Sequence, residues 1–138
     1  MKVFLDTNVL LDVLVRREPH CVAASEIWSR VEKGALDGHI SAISFNNVYY
    51  VLRRVADRST AAEGLRLLRD VFHVVALDEQ IIHSAMDSEF ADFEDAIQFF
   101  SAHRAGADFI ITRNPRHFPT EPIAVVTPEE FLKTETTQ

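Results

Sequence analysis

Val3-Phe4-Leu5-Asp6-Thr7-Asn8 puts a carboxylate at the join between an apolar run and a helical one. Three apolar residues in succession read as a buried strand. Val9, Leu10, Val13 and Leu14 then recur on one face of a helix. Asp6 thus stands at the carboxyl end of a strand. In an open parallel sheet with helices on both faces, ligands bind in the crevice beyond the strand ends. Taken alone, the stretch is more simply a helix start, because Asp, Thr and Asn are all good N-caps. A second acidic cluster far along the chain shifts the balance toward a site.

The same alternation continues outward. Residues 2–5 are expected as strand and 8–15 as helix. Arg16-Arg17-Glu18-Pro19 breaks that helix, and Pro19 begins the next, over 20–33, with Val22, Ile27, Trp28 and Val31 inward and Gly34 ending it. A short strand follows at 39–41. Ser44 can cap a helix over 45–56 whose apolar residues cover most of its circumference. Thr60 and Glu63 read as a capping box for 61–70. Residues 72–76 form a strand, Asp78 caps a helix to about 88, and a helix over 93–105 ends at Gly106. Strands at 109–111 and 123–126 flank a proline-rich loop. Thr127-Pro128-Glu129-Glu130 caps a last helix, and 133–138 fray. Strands alternating with helices, with no hairpin signal, call for an α/β fold with a mainly parallel sheet. At 138 residues, 1–138 is most simply one domain.

Composition narrows the function classes. Apolar residues make up 47% of the chain, and no apolar run approaches the ~20 residues that span a bilayer. No signal peptide is visible, and Cys21 is the only cysteine, so a reducing cytoplasm is expected and no intrachain disulfide can form. Net charge is −7, which argues against loose binding to nucleic acid through phosphates. Arg outnumbers Lys by eleven to three, however, and the guanidinium fork suits phosphate. Six scattered histidines give no zinc spacing.

Five acids, Asp87, Glu89, Asp92, Glu94 and Asp95, crowd into nine residues. Asp92 fits an N-cap and Asp95 the third helical position, both at the positive end of the helix dipole. Capping accounts for one or two of them; the mutual repulsion of five is what a cation would relieve, and hard divalent ions take carboxylate oxygens. The third candidate is Phe109-Ile110-Ile111-Thr112-Arg113-Asn114, a buried strand ending in polar residues at the sheet edge expected for Asp6. Asn114 can offer an amide oxygen to a metal or its waters. Arg113 and Arg116 can hold phosphate.

Strand-Asp-Thr-Asn, then Asp-x-x-Asp-Ala at a helix start, then strand-Thr-Arg-Asn, resembles the PIN-domain nucleases from Val3 to Leu132, in particular the VapC-type toxins of toxin–antitoxin pairs. The resemblance implies a three-layer PIN-like fold, with about five parallel strands between helices. It implies a Mg²⁺- or Mn²⁺-dependent ribonuclease, an antitoxin partner, and a homodimer whose contact surface is expected on the apolar face of 8–15 and 20–33. Asp6 matches the family's first acid, Asp95 the acid at the helix start and Thr112 the Thr of the last motif. Asp6, Asp95 and Asp92 are the expected metal ligands, with Asn114 completing the catalytic set. Asn8, Asn47, Thr112, Arg113 and Arg116 are expected to meet substrate. The chain departs from the pattern twice: Asn47 stands where many relatives carry Glu, and Asn114 replaces the last acid. A subgroup of PIN-like proteins has similar amides. With three acids, one Mg²⁺ is expected in the free protein and a second only with RNA. The alternative is a PIN-like module that binds RNA or protein without cutting.

Overall fold

A computed structural model describes residues 1–136. The short apolar runs become five strands of one sheet: β1 (Lys2–Leu5), β2 (Asp37–Ser41), β3 (His73–Val75), β4 (Phe109–Ile111) and β5 (Ala124–Val126). Between them run α1 (Thr7–Leu14), α2 (Cys21–Glu32), α3 (Ile43–Val55), α4 (Arg58–Val71), α5 (Glu79–Met86) and α6 (Phe93–Ala105); α7 (Pro128–Thr136) closes the chain. Every strand pair is parallel, in the order β3-β2-β1-β4-β5.

Side-chain alternation along β1 divides the core in two. Val3 and Leu5 enter a cluster with Val9, Leu10, Ile27 and Trp28, while Phe4 points the other way, toward Ile97 and Ile110. Helices α1 to α4 and α7 cover the first face; α5 and α6 cover the second. Gly38 lets α2 lie close on β2, since a Cβ there would sit 2.6 Å from Val31 Cγ1. Gly106, at φ 71°, ends α6 in the left-handed conformation that glycine adopts freely.

Strand order reverses between β1 and β4. The chain steps outward through β2 and β3, then returns to the other side of β1. Such a reversal leaves a crevice at the strands' carboxyl ends. Leu5 pairs with Ile111, so Asp6 and Thr112 emerge side by side, and the Asp6 N–H donates to the Ile111 carbonyl at 3.0 Å.

Several sequence expectations change. Helix α4 is capped by Asp57, whose Oδ1 accepts from the Thr60 N–H at 2.7 Å, so Thr60 lies inside the first turn. Ser44 is no cap: α3 begins at Ile43, and the Ser44 hydroxyl is buried. Pro19 precedes α2, which starts at Cys21. Val22 is 70% exposed, its expected place inside taken by Ala23 and Ala24. Helix α3 buries only the stripe Ser44, Val48 and Leu52, leaving Tyr50 and Val55 exposed. The apolar faces of α1 and α2, expected as a partner-contact surface, pack on the core through Val9, Leu10, Ile27, Trp28 and Val31, while Val22 stays exposed. Helix α7 continues through Thr136, and Arg30 Nη1 lies 3.7 Å from Glu135 Oε1, where fraying from 133 was expected; 137–138 lie outside the described residues. No described helix is long and apolar enough to cross a membrane.

Candidate active site

Asp6 occupies the N-cap position of α1, yet its side chain makes no cap hydrogen bond. Its Oδ2 instead accepts from Thr112 Oγ1 at 2.8 Å and from Asn8 Nδ2 at 3.4 Å. Thr112 also accepts from the Asn114 N–H, at 3.1 Å. The Asn8 Oδ1 accepts from the Arg113 N–H, at 3.3 Å. These bonds tie the end of β1 to the turn after β4. Thr112 has no exposed surface, so its hydroxyl serves Asp6 and not substrate directly.

Asp6 is 4% exposed. Burial, with Asp95 and Glu94 nearby, raises its pKa to about 6, against the pull of the Thr112 hydrogen bond. Burial and Asp92 likewise push Asp95 upward, opposed by His117. Burial and its two acidic neighbours raise Glu94, opposed by Asn47. The N-terminus of α6 therefore meets the end of β1, as a shared site requires.

Within this cluster the expected roles are redistributed. Asp92 Oδ1 accepts from the Asp95 N–H at 2.9 Å, so this carboxylate caps α6. Glu94, one of the five crowded acids but not among the expected ligands, is the acid that joins Asp95 in raising Asp6. Asn47 Nδ2 donates to Glu94 Oε2 at 2.6 Å, so the amide steadies a carboxylate. Asn114 is exposed in the turn after β4, its N–H held by Thr112. His117 Nδ1 lies 3.3 Å from Asp95 Oδ2. Arg116, Asp92, Asp95 and His117 border a cavity of about 530 Å³ beside the acids. Arg113 turns away: its Nε lies 3.0 Å from Oδ2 of Asp12, whose side chain is fully buried.

Below the acids lies a polar layer that the sequence reading also missed. Thr7 and Ser44 hydroxyls are 2.7 Å apart, and the buried Gln98 amide donates to both, at 2.9 and 3.4 Å. It joins the starts of α1 and α3 to the second turn of α6. Gln98 inside the run Ala96-Ile97-Gln98-Phe99-Phe100 was the visible signal, since a polar residue on a buried helix face needs a partner.

Among the described residues, no three His, Cys, Asp or Glu side chains form a ready metal cage. The donors nevertheless suit a hard divalent ion. They are carboxylate and amide oxygens, the carboxylates hold protons abnormally well, and Mg²⁺ needs only one or two direct carboxylates because it keeps several waters.

Comparison with known proteins agrees with this architecture. The chain is 26% identical, over 137 residues, to a ribonuclease VapC1 of Aquifex aeolicus (strain VF5), covering 96% of this chain and 94% of the relative. Its fold is similar to a chain of VapBC2 from Rickettsia felis, solved bound to a promoter DNA fragment, with TM-score 0.68, 12% identity, and coverage of 91% and 97% of the two chains. A chain of a toxin–antitoxin complex from Klebsiella pneumoniae gives TM-score 0.68 at 23% identity, with the same coverage. VapC20 of Mycobacterium tuberculosis, a sarcin–ricin-loop-cleaving toxin, gives 0.64 at 16%, over 78% and 86%. A family model described as PIN domain matches residues 2–116, and the chain belongs to that family.

Proposed function

We propose that this PIN domain is a divalent-metal-dependent endoribonuclease, the toxin of a toxin–antitoxin pair. One observation carries the reading: a buried carboxylate at the strand-order reversal, Asp6, whose pKa of about 6 reflects burial and two further acids. A buried, proton-hungry acid cluster facing a crevice costs stability, and such clusters concentrate where chemistry is done. The similarity to a protein named ribonuclease supports the substrate class. The structural neighbours include a chain of VapBC2 and one of a toxin–antitoxin complex, which supports a protein partner.

Asp6, Glu94 and Asp95 would hold Mg²⁺ or Mn²⁺, in part through water. When bound, the ion lowers the pKa of a coordinated water and offsets charge building on the phosphate. Thr112 and Asn8 both hold Oδ2 of the Asp6 carboxylate, so the group meets an ion with little reorganisation. Asn47 does the same for Glu94. Arg116 on the rim supplies positive charge to the phosphate, and the exposed Asn114 amide can orient water. Arg113 holds its turn in place through Asp12.

The test is cleavage of RNA by the purified protein in Mg²⁺ or Mn²⁺ and in EDTA. Cleavage that requires the ion and falls at least about 100-fold in Glu94→Gln supports the assignment. An ion-independent activity, or none in any condition, refutes it. A self-associating toxin is also proposed; light scattering that gives a monomer mass at micromolar concentration would oppose that part.

A further inference from the structure

We infer that the cavity beside Asp95 seats one unpaired base of the RNA strand, stacked on Phe90, with selection for a base that carries an exocyclic amine. This rests on the ribonuclease reading and adds the element that chooses the cut position. At about 530 Å³, the cavity is within the range of roughly 300–1,000 Å³ that small-molecule sites occupy. Phe90 and Pro119 supply its apolar walls. Phe90 lies in the irregular segment before α6, yet its ring is fixed. Phe118 meets it at 6.0 Å and 78°, and Phe99 lies at 5.5 Å. A half-buried ring fixed by neighbouring rings and bordering a cavity can serve as a stacking platform.

The polar rim selects among flat apolar guests. Arg116 and His117 put cationic or hydrogen-bonding groups on the rim, suited to the phosphate that every nucleotide carries. The Asp92 carboxylate borders the same cavity, with Glu89 and Asp95. Only one of its oxygens caps α6. The second can accept from an amino group of adenine, cytosine or guanine, as carboxylates do from cytosine in base readout. Uracil lacks an exocyclic amine and offers only its ring N3–H, flanked by two carbonyl oxygens that repel a carboxylate, and an aliphatic side chain would leave the carboxylate desolvated and unpaired. The cavity opens directly beside Asp95, so a base seated in it brings its phosphate to the acids.

The experiment uses the full chain and a short single-stranded RNA, with one abasic position walked along it. Affinity is read by fluorescence anisotropy in the Asp6→Asn background, and cleavage in the unaltered protein. Phe90→Leu keeps apolar volume against the other rings and removes the flat face. The expected result is one position whose abasic form binds about tenfold more weakly, a penalty that disappears in Phe90→Leu. Uracil at that position should also bind more weakly, and Asp92→Asn should abolish the difference. Metal-dependent cleavage with no sensitive position overturns the base seat and leaves the nuclease standing. Absence of both binding and cleavage removes both. Adenosine monophosphate competing as tightly as the strand would show a free nucleotide to be the occupant and overturn the inference.

Discussion

Asp6 bears the largest electrostatic cost in the crevice, and that cost can be measured. Its folded pKa of about 6 exceeds the ordinary 3.8, so the folded protein holds this proton more tightly than the unfolded chain. Its contribution to stability is complete below about pH 4 and is lost as pH rises through about 6. Asp6→Asn removes the buried charge while keeping an acceptor for Thr112. Urea unfolding at pH 7.5 in EDTA should find the variant more stable by about 2–3 kcal/mol, and the gain should vanish by pH 4. Mg²⁺ should close the gap by stabilising only the unaltered protein, more at pH 7.5 than at pH 5. Equal stability of the two proteins across this range would mean that the carboxylate is not under strain. Asp6 and Thr112 stood out in sequence because each closes an apolar strand run, and Asp95 because it stands in an acid-crowded helix start. Glu94, in the same helix start, was not among the expected ligands. Whether residue 94 or 92 faces Asp6 depends on how α6 is turned against α3, and no spacing along the chain records that.

At the scale of elements, caps and clamps decide which polar residues remain available for chemistry. Asp92 spends one oxygen on the first turn of α6. Asp92→Ala should therefore cost about 1 kcal/mol of stability and reduce metal-dependent cleavage far less than Asp95→Asn. A larger loss of activity in Asp92→Ala would return Asp92 to the ligand set. The Arg113–Asp12 pair fastens the turn after β4 to α1. Arg113→Ala leaves the fully buried Asp12 carboxylate with only Arg17 Nη1, at 3.8 Å, as a cationic partner and should destabilise by about 1–3 kcal/mol. Asp12→Asn should cost less, because Arg113 is 30% exposed and can reach water. Thermal unfolding of both variants gives the order; the reverse order would contradict the pairing. From sequence, Arg113 looked like a phosphate ligand, because an arginine after a strand points at the crevice only if its side chain lies on the right side of the turn. Helix caps misread in the same way. Asp57 and Thr60 are both good caps, and the choice between them rests on where α3 releases the chain.

For the whole molecule, alternation of strand and helix was enough to give the layered parallel sheet. The strand order came from elsewhere. Nothing in the local pattern says that the chain returns past β1 after β3, yet that return creates the crevice and sets Asp6 beside Thr112. A site assembled from residues 6, 94, 95 and 112 is a property of the topology. Its charges repel across elements far apart in sequence, and a divalent ion is the economical neutraliser. The most direct test is a crystal of the protein soaked in Mn²⁺, with the ion located by its anomalous signal. The account predicts a single strong peak in the crevice, coordinated by Asp6 and by at least one of Glu94 and Asp95, directly or through one water. A peak that touches none of these carboxylates, or no peak at saturating Mn²⁺, would contradict it.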